Sequence, residues 1–242
     1  MTPSSQKLLA GQVAVVTGGS RGIGFGIAKR LAELGATVII TGRNVAQLQS
    51  ATHHLSELGP PCEGIPCDIA QVKSVEELGT HMRGTYGRVD ILVNNAGSGG
   101  PSSPLHELPL EDWERIFNTN VRGVFLMLRA LVPLMIEAGS GQIVNISSLA
   151  GKNPLPKGAA YAASKWALNG LTYSVAEELR GHNIRVSTIC PGSVDTDFSP
   201  HTGKDPGRML RPEDVAHVVA MLVSQRPQSF VSEVLLRPTQ KP

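Results

Sequence analysis

From Val13 onward, short apolar runs alternate with longer stretches whose apolar residues recur at helical spacing. The runs at 13–17, 37–41, 62–67, 90–94, 142–146, 184–189 and 231–236 read as strands, because they are short and bounded by turn residues. The stretches at 22–34, 46–58, 74–86, 111–137, 160–180 and 212–224 read as helices; the last opens on Pro212 followed by Glu213 and Asp214, which suits a helix N-terminus. Runs such as Val38-Ile39-Ile40 and Ile91-Leu92-Val93 have no polar alternation, so these strands should be buried on both faces in a parallel sheet covered by helices. The pattern predicts an α/β fold, a single doubly wound Rossmann-type domain over 1–242 with a seven-stranded parallel sheet. Two irregular segments rich in Gly, Ser and Pro, 98–109 and 192–211, follow strand ends, where such sheets place their ligands.

Composition narrows the function classes. A hydrophobic fraction of 41% and a charged fraction of 17% suit a globular enzyme, and a net charge of +2 without like-charge blocks calls for neither nucleic acid nor an anionic membrane. The polar start of the chain lacks a signal-type apolar core, and no apolar run reaches bilayer length, so a cytoplasmic protein is expected. Cys62, Cys67 and Cys190 are scattered without the spacing of a zinc site, and no metal is expected.

After the first strand comes Thr17-Gly18-Gly19-Ser20-Arg21-Gly22-Ile23-Gly24, directly before a helix. Such a turn lets a pyrophosphate approach backbone N–H groups at the positive end of the helix, although the Gly-x-x-x-Gly-x-Gly spacing differs from the common dinucleotide fingerprint. The second strand ends in Thr41-Gly42-Arg43-Asn44, where NAD binders carry an acid for the ribose 2′-hydroxyl. A guanidinium there would pair with a 2′-phosphate instead, with Arg21 in reach of the same charge, so NADP(H) is the expected cofactor. Asp68, after the third strand, could accept from the adenine amino group or equally cap the next helix.

In Tyr161-Ala-Ala-Ser-Lys165 the phenol and the ammonium project from one helix face, and a cation one turn away stabilises a phenolate. Taken with the glycine turn, Asn94-Asn95-Ala96-Gly97, Asn120 and Ser148 in that order, the chain resembles the short-chain dehydrogenase/reductase family over nearly its whole length.

The resemblance implies a catalytic role for four residues. Tyr161 would be the general acid that protonates a carbonyl oxygen, and Ser148 would hydrogen-bond that oxygen; Ser147, its neighbour on the strand end, should face the other way. Lys165 would bind the nicotinamide ribose and hold down the tyrosine pKa, and Asn120 would hold a water of the proton relay. Cofactor contacts carry over to Gly18, Ser20, Arg21, Gly22, Ile23, Gly24, Arg43, Asp68, Asn94, Ala96, Gly97, Tyr161 and Lys165, and to Pro191, Gly192, Val194 and Thr196 around the carboxamide. The substrate would be a small carbonyl or alcohol compound, in a pocket lined by 98–100, 152–156 and a lid at 198–201 that includes His201. A homotetramer or dimer through the helices at 111–137 and 160–180 is also implied.

Within the family, the motif wording is most similar to 3-oxoacyl-[acyl-carrier-protein] reductases. Two departures weaken that likeness: Glu137, Glu177 and Glu178 should repel an acidic carrier, and the tail from Phe230 lacks the usual Asp-Gly-Gly stretch.

Overall fold

The computed structural model describes residues 7–198 and 203–242. Seven strands form one parallel sheet in the order β3-β2-β1-β4-β5-β6-β7. They are β1 (Val13–Thr17), β2 (Thr37–Gly42), β3 (Cys62–Pro66), β4 (Ile91–Asn94), β5 (Gly141–Ile146), β6 (Ile184–Pro191) and β7 (Glu233–Leu236). The helices are α1 (Gly22–Glu33), α2 (Val45–Ser56), α3 (Val72–His81), α4 (Leu110–Phe117), α5 (Gly123–Ala138), α6 (Ala159–Leu179) and α7 (Pro212–Val223). The predicted α/β class and seven-stranded sheet are therefore what the chain adopts.

Apolar residues of successive positions on one strand serve opposite sides of the sheet. Ala14, Val16, Val38 and Ile40 join Ile27, Leu31, Val215 and Val219 in one core, whereas Val15 and Ile39 join Leu78, Met127, Leu131 and Leu168 in the other. This two-sided burial explains why these strands lack polar alternation. Strand order reverses between β1 and β4, which pair in parallel with Val15 opposite Leu92, so the turns after both strands open into one crevice.

The structure departs from the predicted elements chiefly in its helices and at strand ends. The helix expected at 111–137 is two α-helices joined by a π turn at Asn118–Arg122, a wider loop of backbone that periodicity does not reveal. A second π turn, Met82–Tyr86, closes the helix expected at 74–86. The last strand begins at Glu233 rather than Val231. Asp90 lies just before β4, where its carboxylate accepts from the Val13 N–H at 2.8 Å and from Arg88 at 2.9 Å.

Two charge assignments also change. Glu137 is held by both guanidinium nitrogens of Arg83, and Glu177 by Arg180. The carboxylates expected to repel an acidic carrier are thus partly neutralised within the chain, which weakens that argument. Among the described residues, no helix is long and apolar enough to cross a membrane.

Candidate active site

One continuous cleft of about 1080 Å³ runs over the C-terminal ends of the strands. At one end lies the glycine turn. No side chain among the described residues caps α1 and its first turn carries no acid, so its N–H groups and positive dipole end face the cleft uncompensated. The turn is clamped to β4 by Asn95, whose Nδ2 donates to Thr17 O at 2.9 Å and Gly18 O at 3.2 Å. A Cβ on Gly24 would stand 2.2 Å from Gly18 O, so only glycine fits where α1 presses on the turn.

Of the residues expected to touch a cofactor, all but Asn94 line this cleft. Asn94 is buried beneath it, donating from Nδ2 to Asn145 Oδ1 at 2.8 Å in the strand register that pairs the two residues. Its neighbour Asn95 lines the cleft instead. A one-residue step along a strand changes the face, and the paired Asn-Asn in the sequence left that choice open.

At the end of β2, Thr41 Oγ1 is buried in the cleft wall without a hydrogen-bond partner, and Arg43 is exposed beside it. Asn44 caps α2, accepting from Gln47 N at 3.0 Å. Asp68 lines the cleft, and its Oδ1 accepts from Ala70 N at 3.0 Å in a turn that ends before α3, so it does not cap that helix. Arg21 stands 3.7 Å from Asp197 across the mouth.

Midway along the cleft, Tyr161 sits in the first turn of α6, and Ser148 begins a tight turn, Leu149–Gly151, after β5. Ser148 and Tyr161 line the cleft together, and Ser148 Oγ accepts from Ala150 N at 3.1 Å. Ser147 faces away, as the strand alternation predicts, with Oγ 3.4 Å from Lys165 O.

Lys165 is buried, donates from Nζ to Ile146 O at 2.9 Å, and lies 5.8 Å from the Tyr161 ring centre. Burial lowers its pKa to about 8. Burial also raises the Tyr161 pKa above the usual phenol value, opposed by the Ser148 hydrogen bond. Ser148 is the neighbour that pulls the phenol down.

Asn120 reaches inward from the π turn. Its Oδ1 accepts from Ser98 N at 2.7 Å, while Nδ2 donates to Ser98 O and to Ser164 Oγ, both at 2.9 Å. Ser164 in turn donates to Tyr161 O at 2.7 Å. With its amide engaged on both sides, the Asn120 side chain ties the loop after β4 to the helix that carries Tyr161.

The other end of the cleft is walled by Gly99, Gly100, Asn153, Pro154, Leu155, Pro156 and Phe198; Lys152 and Ser98, expected there, do not line it. Phe198 lies 6.2 Å from the Tyr161 ring centre. His201 and the rest of the expected lid fall outside the described residues. Arg115 fixes the 98–100 segment by donating to Gly99 O at 2.9 Å and to Ser98 Oγ. Lys157 adopts a left-handed backbone with φ of 59°, its carbonyl accepting from Ser103 N at 3.1 Å. That conformation strains a residue with a Cβ, so Lys157→Gly should raise unfolding free energy by up to ~1 kcal/mol in a denaturant titration. A drop would show that the lysine side chain, not the backbone, governs this loop.

The family model for short chain dehydrogenase matches residues 12–207. An uncharacterized oxidoreductase of Staphylococcus epidermidis is 32% identical over 227 residues, covering 94% of this chain and 97% of the relative. Among solved structures, a metagenomic short-chain oxidoreductase in complex with NADP is 46% identical, covers 97% of this chain and 100% of its own, and superposes with a TM-score of 0.87. An alcohol dehydrogenase from the archaeon Thermococcus sibiricus, complexed with 5-hydroxy-NADP, is 32% identical over 96% of this chain and 98% of its own, with a TM-score of 0.87. With its strand order, its glycine turn and its Ser148–Tyr161–Lys165 cluster in one cleft, the chain belongs to the short-chain dehydrogenase family.

Proposed function

We propose that the protein is an NADPH-dependent reductase of ketones or aldehydes, working as one 1–242 unit in which 98–109 and 192–211 build the substrate walls. The observation that carries this reading is the pair of donors, Ser148 and the Tyr161 phenol, set in the same cleft as the uncapped start of α1. The residues fit a 2′-phosphorylated dinucleotide. Thr41 Oγ1 is a buried polar atom without a partner, Arg43 supplies a cation beside it, and the close fit at Gly24 leaves the turn's backbone open to a pyrophosphate. Gly18 to Gly24, Arg43, Asp68, Ala96, Gly97 and the 191–196 segment would hold the cofactor, which when bound supplies the hydride.

The chain's own groups manage the oxygen. Negative charge grows on the carbonyl oxygen as it is reduced, and donors placed there lower the barrier because they act most strongly at that stage. Ser148 donates a hydrogen bond, Tyr161 gives its proton, and the Lys165 charge steadies the tyrosine afterwards. A phenol held above its usual pKa stays protonated at neutral pH, which suits reduction. Alcohol oxidation is the second reading, favoured by the archaeal relative described as an alcohol dehydrogenase. The motif likeness to 3-oxoacyl reductases makes 3-oxoacyl compounds one candidate class of substrate. A cytoplasmic homo-oligomer, dimer or tetramer, is part of the same reading, because Phe125 on α5 and Trp166 on α6 are each about half exposed.

The test is oxidation of NADPH with a panel of ketones and aldehydes, followed beside NADH. Arg43→Ala should weaken NADPH binding by roughly 10–100-fold, the worth of charge-assisted hydrogen bonds, and leave NADH affinity nearly unchanged. Equal effects on both dinucleotides would remove Arg43 from the 2′-phosphate, and tighter NADH binding by wild-type protein would replace the cofactor.

A further inference from the structure

The turn that carries Ser148 is gripped from two sides by groups that the chemistry above does not use. On its inner side, Gly151 donates from N to Ser148 O at 2.9 Å, and its own carbonyl accepts from Asn169 Nδ2 at 3.0 Å. Gly151 stands so near α6 that a Cβ there would lie 2.9 Å from Lys165 O. The turn therefore rests directly on the backbone of the helix that bears Tyr161 and Lys165.

On its outer side the next residue, Lys152, is the centre of a charged cluster. Its ammonium lies 2.6 Å from Glu233 Oε1 and also donates to the Tyr173 hydroxyl, which in turn donates to the same Glu233 oxygen at 2.7 Å. The Lys152 and Glu233 side chains retain 24% and 29% of their exposure, so water screens the pair less than an open surface pair. Tyr173 belongs to α6, and Glu233 opens β7 in the tail that departs from the family's usual wording. None of the three lines the cleft, so none reaches a substrate held there. A pair still partly open to water adds little to stability, but it fixes the relative placement of three elements: the serine turn, the catalytic helix and the last strand.

We propose that Lys152, Tyr173 and Glu233 are positioning residues for Ser148, through which the C-terminal strand sets where that hydroxyl meets the substrate oxygen. The inference rests on the role given to Ser148 under the proposed function. A hydrogen-bond donor displaced by about 1 Å from the developing charge forfeits much of its effect, so loosening the turn lowers turnover without touching the cofactor end.

The experiment compares wild-type protein with Lys152→Met, Glu233→Gln, the double variant and Lys152→Arg. The probes are NADPH and a ketone panel led by trifluoroacetophenone, with NADPH affinity from fluorescence and Tm recorded for each. Both single variants should lose about five- to tenfold in kcat with NADPH Kd within about twofold of wild type. The double variant should fall no further than about twofold below the weaker single, because both changes break one unit. Lys152→Arg, which keeps the charge, should recover most of the turnover. The later part of the alkaline limb, where the phenol itself loses its proton, should move upward in the single variants, because the Ser148 bond that lowers the Tyr161 pKa is weakened.

Single variants with wild-type kcat and an unmoved pH profile, whether or not Tm falls, overturn the inference and leave the cluster a structural anchor. Losses that multiply in the double variant overturn it as well. Wild-type protein that binds NADPH but turns over no ketone or alcohol overturns the reading of the site, and this inference with it.

Discussion

Tyr161→Phe is expected to cut kcat for carbonyl reduction by about a thousand-fold while NADPH Kd stays within about twofold. The substitution deletes one oxygen and keeps the ring, so the contacts with Phe198 and Lys165 survive while the proton donor and the Ser148 partner are lost. In wild-type protein the rate should be flat across neutral pH, because burial keeps the phenol protonated there. It should decline on the alkaline side, beginning where Lys165 sheds its charge near pH about 8. Stopped-flow or steady-state NADPH oxidation across pH reads both effects. Wild-type turnover in the Phe variant would assign the proton to another group, and a decline on the acid side instead would mean that a deprotonated tyrosine is the active form.

Gly24→Ala should have the largest effect on the folded state. Its Cβ would meet Gly18 O at 2.2 Å and Asn95 Nδ2 at 2.4 Å, and the first of these is backbone, which yields less readily than a side chain. Overpacking of this kind costs about 1–3 kcal/mol, a fall in Tm of roughly 2–12 °C for a chain of this size. The same clash pushes α1 off the glycine turn and breaks the Asn95 clamp, so NADPH affinity should drop at least about tenfold. Gly84→Ala is the control, because nothing lies within 4 Å of a Cβ at that position. Thermal unfolding and NADPH fluorescence on both variants decide the matter: if Gly24→Ala melts with wild-type protein, the turn is plastic and the close contact does not govern it.

Much of this was legible in the chain because the sheet is buried on both faces. A strand such as β1, which sends Ala14 and Val16 to one core and Val15 to the other, has to be continuously apolar, and that pattern is visible without coordinates. The glycine turn, Arg43 and the Tyr161 to Lys165 spacing were legible for a similar reason, since each is a local arrangement of nearby residues. The sequence did not reveal what depends on side-chain direction at a strand end or on departures from regular helix. Asn94 and Asn95 are chemically identical, and only the register of β4 against β5 tells which one turns down to Asn145. Lys165 was a cation on the right face of the helix, but the depth at which it is buried is a property of the packed molecule.

The π turn at Asn118–Arg122 has a consequence for how such a site can vary between relatives. A π turn carries one residue more than the α-turn it replaces, and every side chain after it is rotated by the extra step. Here that surplus residue lets Asn120 point into the protein while α5 keeps its apolar face on the core and α4 buries Ile116. The placement of Asn120 is thus encoded by chain length as well as by residue identity. A homologue one residue shorter in this stretch would own a more regular helix and a poorer site, even with every named side chain still in its sequence.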